Sequence, residues 1–186
     1  MSNATTEIQS TKVVTGQVRF SYLHIWEPSA VNEGQEKKYS ASLIIPKSDK
    51  ATLQKIEAAI KAATEVGKAK WGGKIPPKLK TPLRDGDVER PEDEAYADSW
   101  FINANAKTKP GIVDSQARPI MNQDEVYSGC YGRASITFYP FDSNGNRGIA
   151  CGLNHLMKVK DGEALGGRST AESDFAEVIG QDDDLL

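Results

Sequence analysis

Tyr131, Arg133 and Tyr139 share one parity in the stretch YGRASITFY, with Ser135 and Thr137 between them, while Ala134, Ile136 and Phe138 take the other. A strand sends alternate side chains to opposite faces, so this segment has an apolar face for a core and an outward face carrying a cation and two rings. Cations neutralise phosphates and aromatic rings stack on bases. That is chemistry for holding a nucleic-acid strand, not for making or breaking bonds.

The same chemistry recurs elsewhere. In WFINANAK, Trp100, Ile102 and Ala104 take one face, and Phe101, Asn103, Asn105 and Lys107 take the other. An outward Phe101 with two amides and Lys107 reads as a binding surface, so Phe101 and Tyr139 are expected to bind and Trp100 and Phe138 to fill the core. Lys109, Arg118, Arg147, Lys158 and Lys160 lie in adjoining loops or in an extension of the last strand. Arg19 and Tyr22 have opposite parity, so only one of them should face outward unless a bulge intervenes. The 68–84 stretch carries six basic residues and no acid, and includes Trp71 and Lys74. Two readings stand for it: a loop that tracks phosphates with Trp71 stacking a base, or a solvated loop with Trp71 in the core.

Catalytic patterns do not emerge. His24 and His155 are far apart, and the chain shows no HExxH or CxxC spacing, no phosphate-binding GxxxxGK[ST] loop, and neither GxGxxG nor GxSxG. Neighbouring acids such as Asp85 and Asp87 read as a solvated charge run. No catalytic residue, metal or cofactor is expected. Cys130 and Cys151 are the only cysteines and are read as free thiols, which fits the cell interior.

The net charge of −3 conceals a segregation. Residues 172–186 hold six acids and no base, so the rest of the chain is net +3; setting aside the acidic stretch 85–98 as well leaves +9. The C-terminal segment has too few apolar residues to bury itself and ends in Asp182, Asp183, Asp184, Leu185 and Leu186. It is expected to be a disordered acidic tail that docks on partners and competes with a nucleic acid for the cationic face. No run is long and apolar enough to span a membrane, and the N-terminus lacks a signal-peptide core.

The positioning elements are mostly strands. Alternation predicts strand 1 within 13–26, strand 2 over 38–45, strand 3 over 100–107 and a long hairpin from 127 to 160 that turns at Asn144-Gly145. One helix is expected over about 48–70, capped by Ser48, with Leu53, Ile56, Ile60 and Ala63 in an apolar stripe. Residues 71–98 read as a loop insertion whose acidic half, 85–98, is exposed and mobile. The expected divisions are an arm at 1–12, one domain at 13–167 and the tail at 168–186.

GCYGRASITFYPF, then NRGIACGLNHLMKVKDGEALGG, with PGIVD upstream, resembles a bacteriophage single-stranded DNA-binding protein family. The resemblance runs from about Val13 to Gly167, and KDGEALGG is its most specific piece. It implies a mainly β fold: a five-stranded Greek-key OB barrel, distantly like the T7-type phage protein, with an inserted helix, long loops and an acidic tail. It also implies binding of single-stranded DNA in phage replication or recombination, with phage or host replication proteins as tail partners, in the cytoplasm of the infected bacterium. One departure stands out: the OB helix usually lies between strands 3 and 4, whereas here it is expected between strands 2 and 3. The competing readings are a virion-associated β-barrel protein that binds no nucleic acid, and a nuclease-like factor needing convergent carboxylates.

Overall fold

The computed structural model describes residues 10–165, apart from Val31 and Asn144, together with Phe175 and Val178. Eight strands form: β1 (Lys12–Val14), β2 (Val18–Ser29), β3 (Lys38–Pro46), β4 (Leu83–Asp85), β5 (Ser99–Ala106), β6 (Gly111–Val113), β7 (Tyr131–Ser143) and β8 (Asn146–Lys160). Helix α1 spans Lys50–Gly67 and the four-residue α2 spans Gly86–Glu89.

Five strands set the architecture. β7 pairs with β2, β2 with β3, β3 with β5, β5 with β8, and β8 again with β7, so the pairings return to their start. All are antiparallel except β5–β8, which joins Asn105 to Gly152. Counted along the chain, these five follow the spatial order 1-2-3-5-4 and back to 1, the Greek-key order of an OB-type fold. β1 extends the β2 side along β7, β6 flanks β8, and β4 edges the first half of β5. The helix does lie between the second and third of the five strands, so the departure from the usual OB layout is an elaboration and the strand count stands.

Alternation explains what is inside. Phe20, Leu43, Ile45, Ile102, Ala104, Ala134, Ile136, Phe138, Cys151 and Leu153 meet within the ring as one buried cluster, joined by Ile56, Ala59 and Ala63 of α1. The helix cap is Asp49, not Ser48: the Asp49 carboxylate accepts a hydrogen bond from the Thr52 amide at 3.2 Å. Both cysteines are free and buried, and burial pushes the Cys151 thiol up. The β7–β8 hairpin reverses between the paired Ser143 and Asn146, with Gly145 at φ 82°, in the left-handed region that favours glycine. The turn expected at Asn144 itself falls outside the described residues.

The acidic stretch 85–98 departs from expectation. It forms an ordered flap with α2 and a 3-10 turn at Glu94–Tyr96, and Tyr96 is fully buried. Tyr96 packs edge-on against Phe101, with ring centroids 5.0 Å apart, and its hydroxyl lies 2.9 Å from Ser42 Oγ. Lys47 pins the other end, its Nζ 2.9 Å from Asp85 and 2.8 Å from Asp87. Net charge marked this segment as a loop; the Tyr96 ring on Phe101, the Tyr96 hydroxyl on Ser42 and one lysine staple order it. Among the described residues no helix is long and apolar enough to cross a membrane.

Candidate nucleic-acid interface

Strand registers assemble a row across the outside of the ring. His24 on β2 pairs with Ser40 on β3, Ser40 with Asn105 on β5, Asn105 with Gly152 on β8, Gly152 with Thr137 on β7, and Thr137 with Lys12 on β1. Between the terminal His24 and Lys12, every member is small or an amide, so the row is a low polar floor. Asn154 steadies it by donating from Nδ2 to Thr137 Oγ1 at 2.9 Å. Tyr139, 46% exposed, stands two residues beyond Thr137 on the same face of β7. Its ring lies beside Gly152, where an added Cβ would meet Tyr139 Cε1 at 3.6 Å. Asn103 and Lys107 continue the exposed side of β5 and its end.

A second cluster gathers where β2 meets β7. The Arg19 guanidinium lies 5.3 Å and Lys160 Nζ 5.0 Å from the Tyr131 ring centroid. Arg19 also donates to the Gly129 and Glu163 carbonyls, which ties the loop after β8 to the sheet. Lys158 stacks over Tyr127 and bonds Asp161. Burial pulls the Lys158 ammonium down, but the Asp161 bond and charge outweigh it and leave the pKa raised; Asp161 is lowered by the same Lys158 bond. Lys109 caps Trp26 with its Nζ 5.1 Å from the ring centroid. Rings and cations are thus paired around the outside of the fold.

The expected residues divide accordingly. Tyr131, Lys160, Lys109, Tyr139 and Lys107 contribute to the outer surface, and Lys158 does so only as a cation already paired with Asp161. Arg133 is outward on β7, but its Nε donates to the Thr15 carbonyl at 2.8 Å, which holds it over the β1 junction. Arg118 is tied to Asp114 at 2.9 Å and Arg147 to Asp142 at 3.2 Å, so each presents a neutralised cation. Backbone hydrogen bonds from Arg118 and Gln116, with the Arg118 side chain, hold the Asp114 carboxyl below its usual value. Lys74 is exposed, in the basic loop that Trp71 and Lys80 tie to the β7–β8 hairpin.

One expectation is corrected and one open pair of readings is resolved. Phe101 has the outward parity of Asn103 and Asn105 but is only 2% exposed, because the flap lays Tyr96 and Arg90 over it. It cannot stack on a base in this arrangement. Trp71 is 4% exposed and donates from Nε1 to the Phe141 carbonyl at 3.1 Å, so it anchors the basic loop to the hairpin and the core reading holds. Tail residues Asp182, Asp183, Asp184, Leu185 and Leu186 lie outside the described residues.

Tyr22 is an outward residue that parity left undecided. The β2–β3 register shifts between Ser21 and His24, and Tyr22 adopts φ 46° within that bulge. The bulge lets Arg19 and Tyr22 both reach the outside. His24, Ser40 and Gly152 carried no sequence signal, because only the registers of non-adjacent strands bring them into line.

Strand order and outer surface together define the class: an OB-type fold with a cationic, aromatic exterior. The chain belongs to the family described as the ssDNA-binding protein of Enterobacter phage Enc34, whose model matches residues 11–186. It is 32% identical over 187 residues to protein p50 of Acyrthosiphon pisum secondary endosymbiont phage 1, covering 94% of this chain and 98% of that protein. The single-stranded DNA-binding protein from bacteriophage Enc34, solved in complex with ssDNA, matches with a TM-score of 0.74 and 26% identity over 84% of this chain and 90% of that one. Bacteriophage T7 gp2.5, a single-stranded DNA-binding protein, shares the fold with a TM-score of 0.58 at 16% identity, covering 89% of this chain and 93% of that one.

Proposed function

We propose that this protein binds single-stranded DNA without sequence preference, and coats and protects it during phage replication or recombination in the cytoplasm of the infected bacterium. We read it as a binding protein and not an enzyme. The observation that carries the reading is the low polar row from His24 to Lys12, flanked by Tyr139 and Lys107. A single strand lies flat on such a floor, its bases meeting amides, hydroxyls and the Tyr139 ring while lysines neutralise phosphates along the rim. Every base has a π-face, so stacking needs no particular sequence. Kinship with the Enc34 protein, solved with ssDNA, supports the same reading.

The chain divides in this reading into a short arm (1–12), whose last residue already pairs in β1, the binding domain (13–167) and an acidic tail (168–186). The tail serves two ends: recruiting phage or host replication proteins through Asp182–Leu186, and competing with DNA for the cationic exterior. Charge supports the second: residues 172–186 hold six acids and no base, whereas the rest of the chain is net +3.

Fluorescence anisotropy of a labelled oligo-dT of about 30 nucleotides, a length that spans OB site sizes, tests both parts, with matched duplex as competitor. Expected are tight, salt-sensitive binding, resistance to duplex competition, and tighter binding by protein truncated after Gly167. Equal affinity of both forms would remove tail competition; no binding by either at low salt would overturn the reading.

A further inference from the structure

Tyr22 combines three features that a merely structural tyrosine does not need. Its backbone is at φ 46°, where bulky residues are strained and glycine or asparagine is preferred. Its side chain is 55% exposed. Its ring is backed by Arg90, whose Cζ lies 5.3 Å from the Tyr22 centroid and 5.1 Å from those of both Tyr96 and Phe101. Arg90 is itself unusual. Four carboxylates, Glu89, Glu92, Asp93 and Glu94, line the same shallow cavity of ≈ 710 Å³, yet Arg90 forms no ion pair among the described residues, and its Nε is buried without a hydrogen-bond partner. The guanidinium is committed to the three rings instead, fixing the Tyr22 ring against the flap.

We infer that Tyr22, backed by Arg90, is a base-stacking platform for one nucleotide of a bound single strand, at the flap end of the outer face. The inference rests on the single-strand reading above and adds a subsite to it. The ligand chemistry follows from the lining. A phosphate or the acidic tail would be repelled by Glu92, Asp93 and Glu94, Glu89 being paired with Arg84 at 2.9 Å, whereas a base is neutral and its N–H groups, thymine N3–H included, can donate to carboxylate oxygens. The nucleotide is therefore held by its base, with its phosphate directed away from the flap. The strained backbone has a function in this arrangement: the bulge turns an aromatic ring outward at a point where regular alternation would place it inside.

The test uses full-length Tyr22→Gly and Tyr22→Asn, both suited to positive φ and both lacking the ring, with Tyr139→Ala as a reference. Each is followed by thermal melting and by oligo-dT anisotropy over a range of salt. Both Tyr22 variants should melt at or above the wild-type temperature and bind about 5- to 100-fold more weakly. Their salt slope should match the wild type, because no phosphate contact is lost. If wild type and Tyr139→Ala behave as the single-strand reading requires but both Tyr22 variants bind within about twofold of wild type, the subsite is overturned and the reading survives. A lower melting temperature in both variants would overturn the strain argument. Failure of wild type to bind oligo-dT would instead remove the reading beneath it.

Discussion

Tyr139 stands opposite Ala150 on the outer face, next to the floor at Gly152, and nearly half of its surface reaches solvent. Replacing it with alanine removes a stacking surface and little packing. Tyr139→Ala should weaken oligo-dT binding by about 1–3 kcal/mol and change unfolding free energy by no more than about 0.5 kcal/mol, as read by anisotropy and urea denaturation. Phe101→Ala should do the reverse. It hollows the cluster of Ile44, Tyr96 and Phe101 and should cost about 3–5 kcal/mol of stability. Any loss of DNA binding should follow that unfolding. The two residues read alike in sequence, each an aromatic at an outward parity beside polar neighbours. Alternation made their faces legible. What separates them is a segment folded back over one and not the other, and no local pattern encodes that cover.

At the scale of elements, the flap at 85–98 and the bulge in β2 shape the outer face. Lys47 holds the flap through Asp85 and Asp87, and its amide donates to the Asp98 carbonyl at 3.0 Å. The Lys47 side chain, followed by the Asp98 amide, lowers the Asp87 pKa below its ordinary 3.8. A carboxyl with a depressed folded pKa contributes stability above its unfolded value and loses that contribution as pH falls through the folded one. Flap amides should therefore be equally protected, after correction for intrinsic exchange, from about pH 8 to about pH 5, and lose protection below about pH 4. Asp87→Asn should show reduced protection across the whole range; hydrogen exchange read by mass spectrometry checks both. The strands and the helix were legible because burial imposes periods of two and 3.6 on long segments. The flap was not, because its charge outweighs its apolar content and only Tyr96 reaches the core. Neither was the bulge, whose register is set by pairing with β3.

For the molecule as a whole, charge is segregated along the chain. The ring of strands presents cations beside rings, and residues 172–186 carry six acids and no base. Removing residues after Gly167 should raise affinity for oligo-dT most at low salt, with the advantage shrinking as salt screens the tail. Each phosphate contact contributes about 0.7 to the slope of log affinity against log salt for a single strand, so the Lys107→Ala slope should be shallower by about that amount. If single-stranded DNA lies on the floor running from His24 to Lys12, Gly152 is the place to test it. An added Cβ there would come no nearer than 3.5 Å to its neighbours, so a side chain is accommodated but must stand in the floor. The measurement is oligo-dT anisotropy of Gly152→Glu, with circular dichroism to confirm the fold. A carboxylate on the floor should leave the fold intact and weaken binding by at least about tenfold. A folded Gly152→Glu that binds as tightly as wild type would contradict the account and place the DNA on another surface.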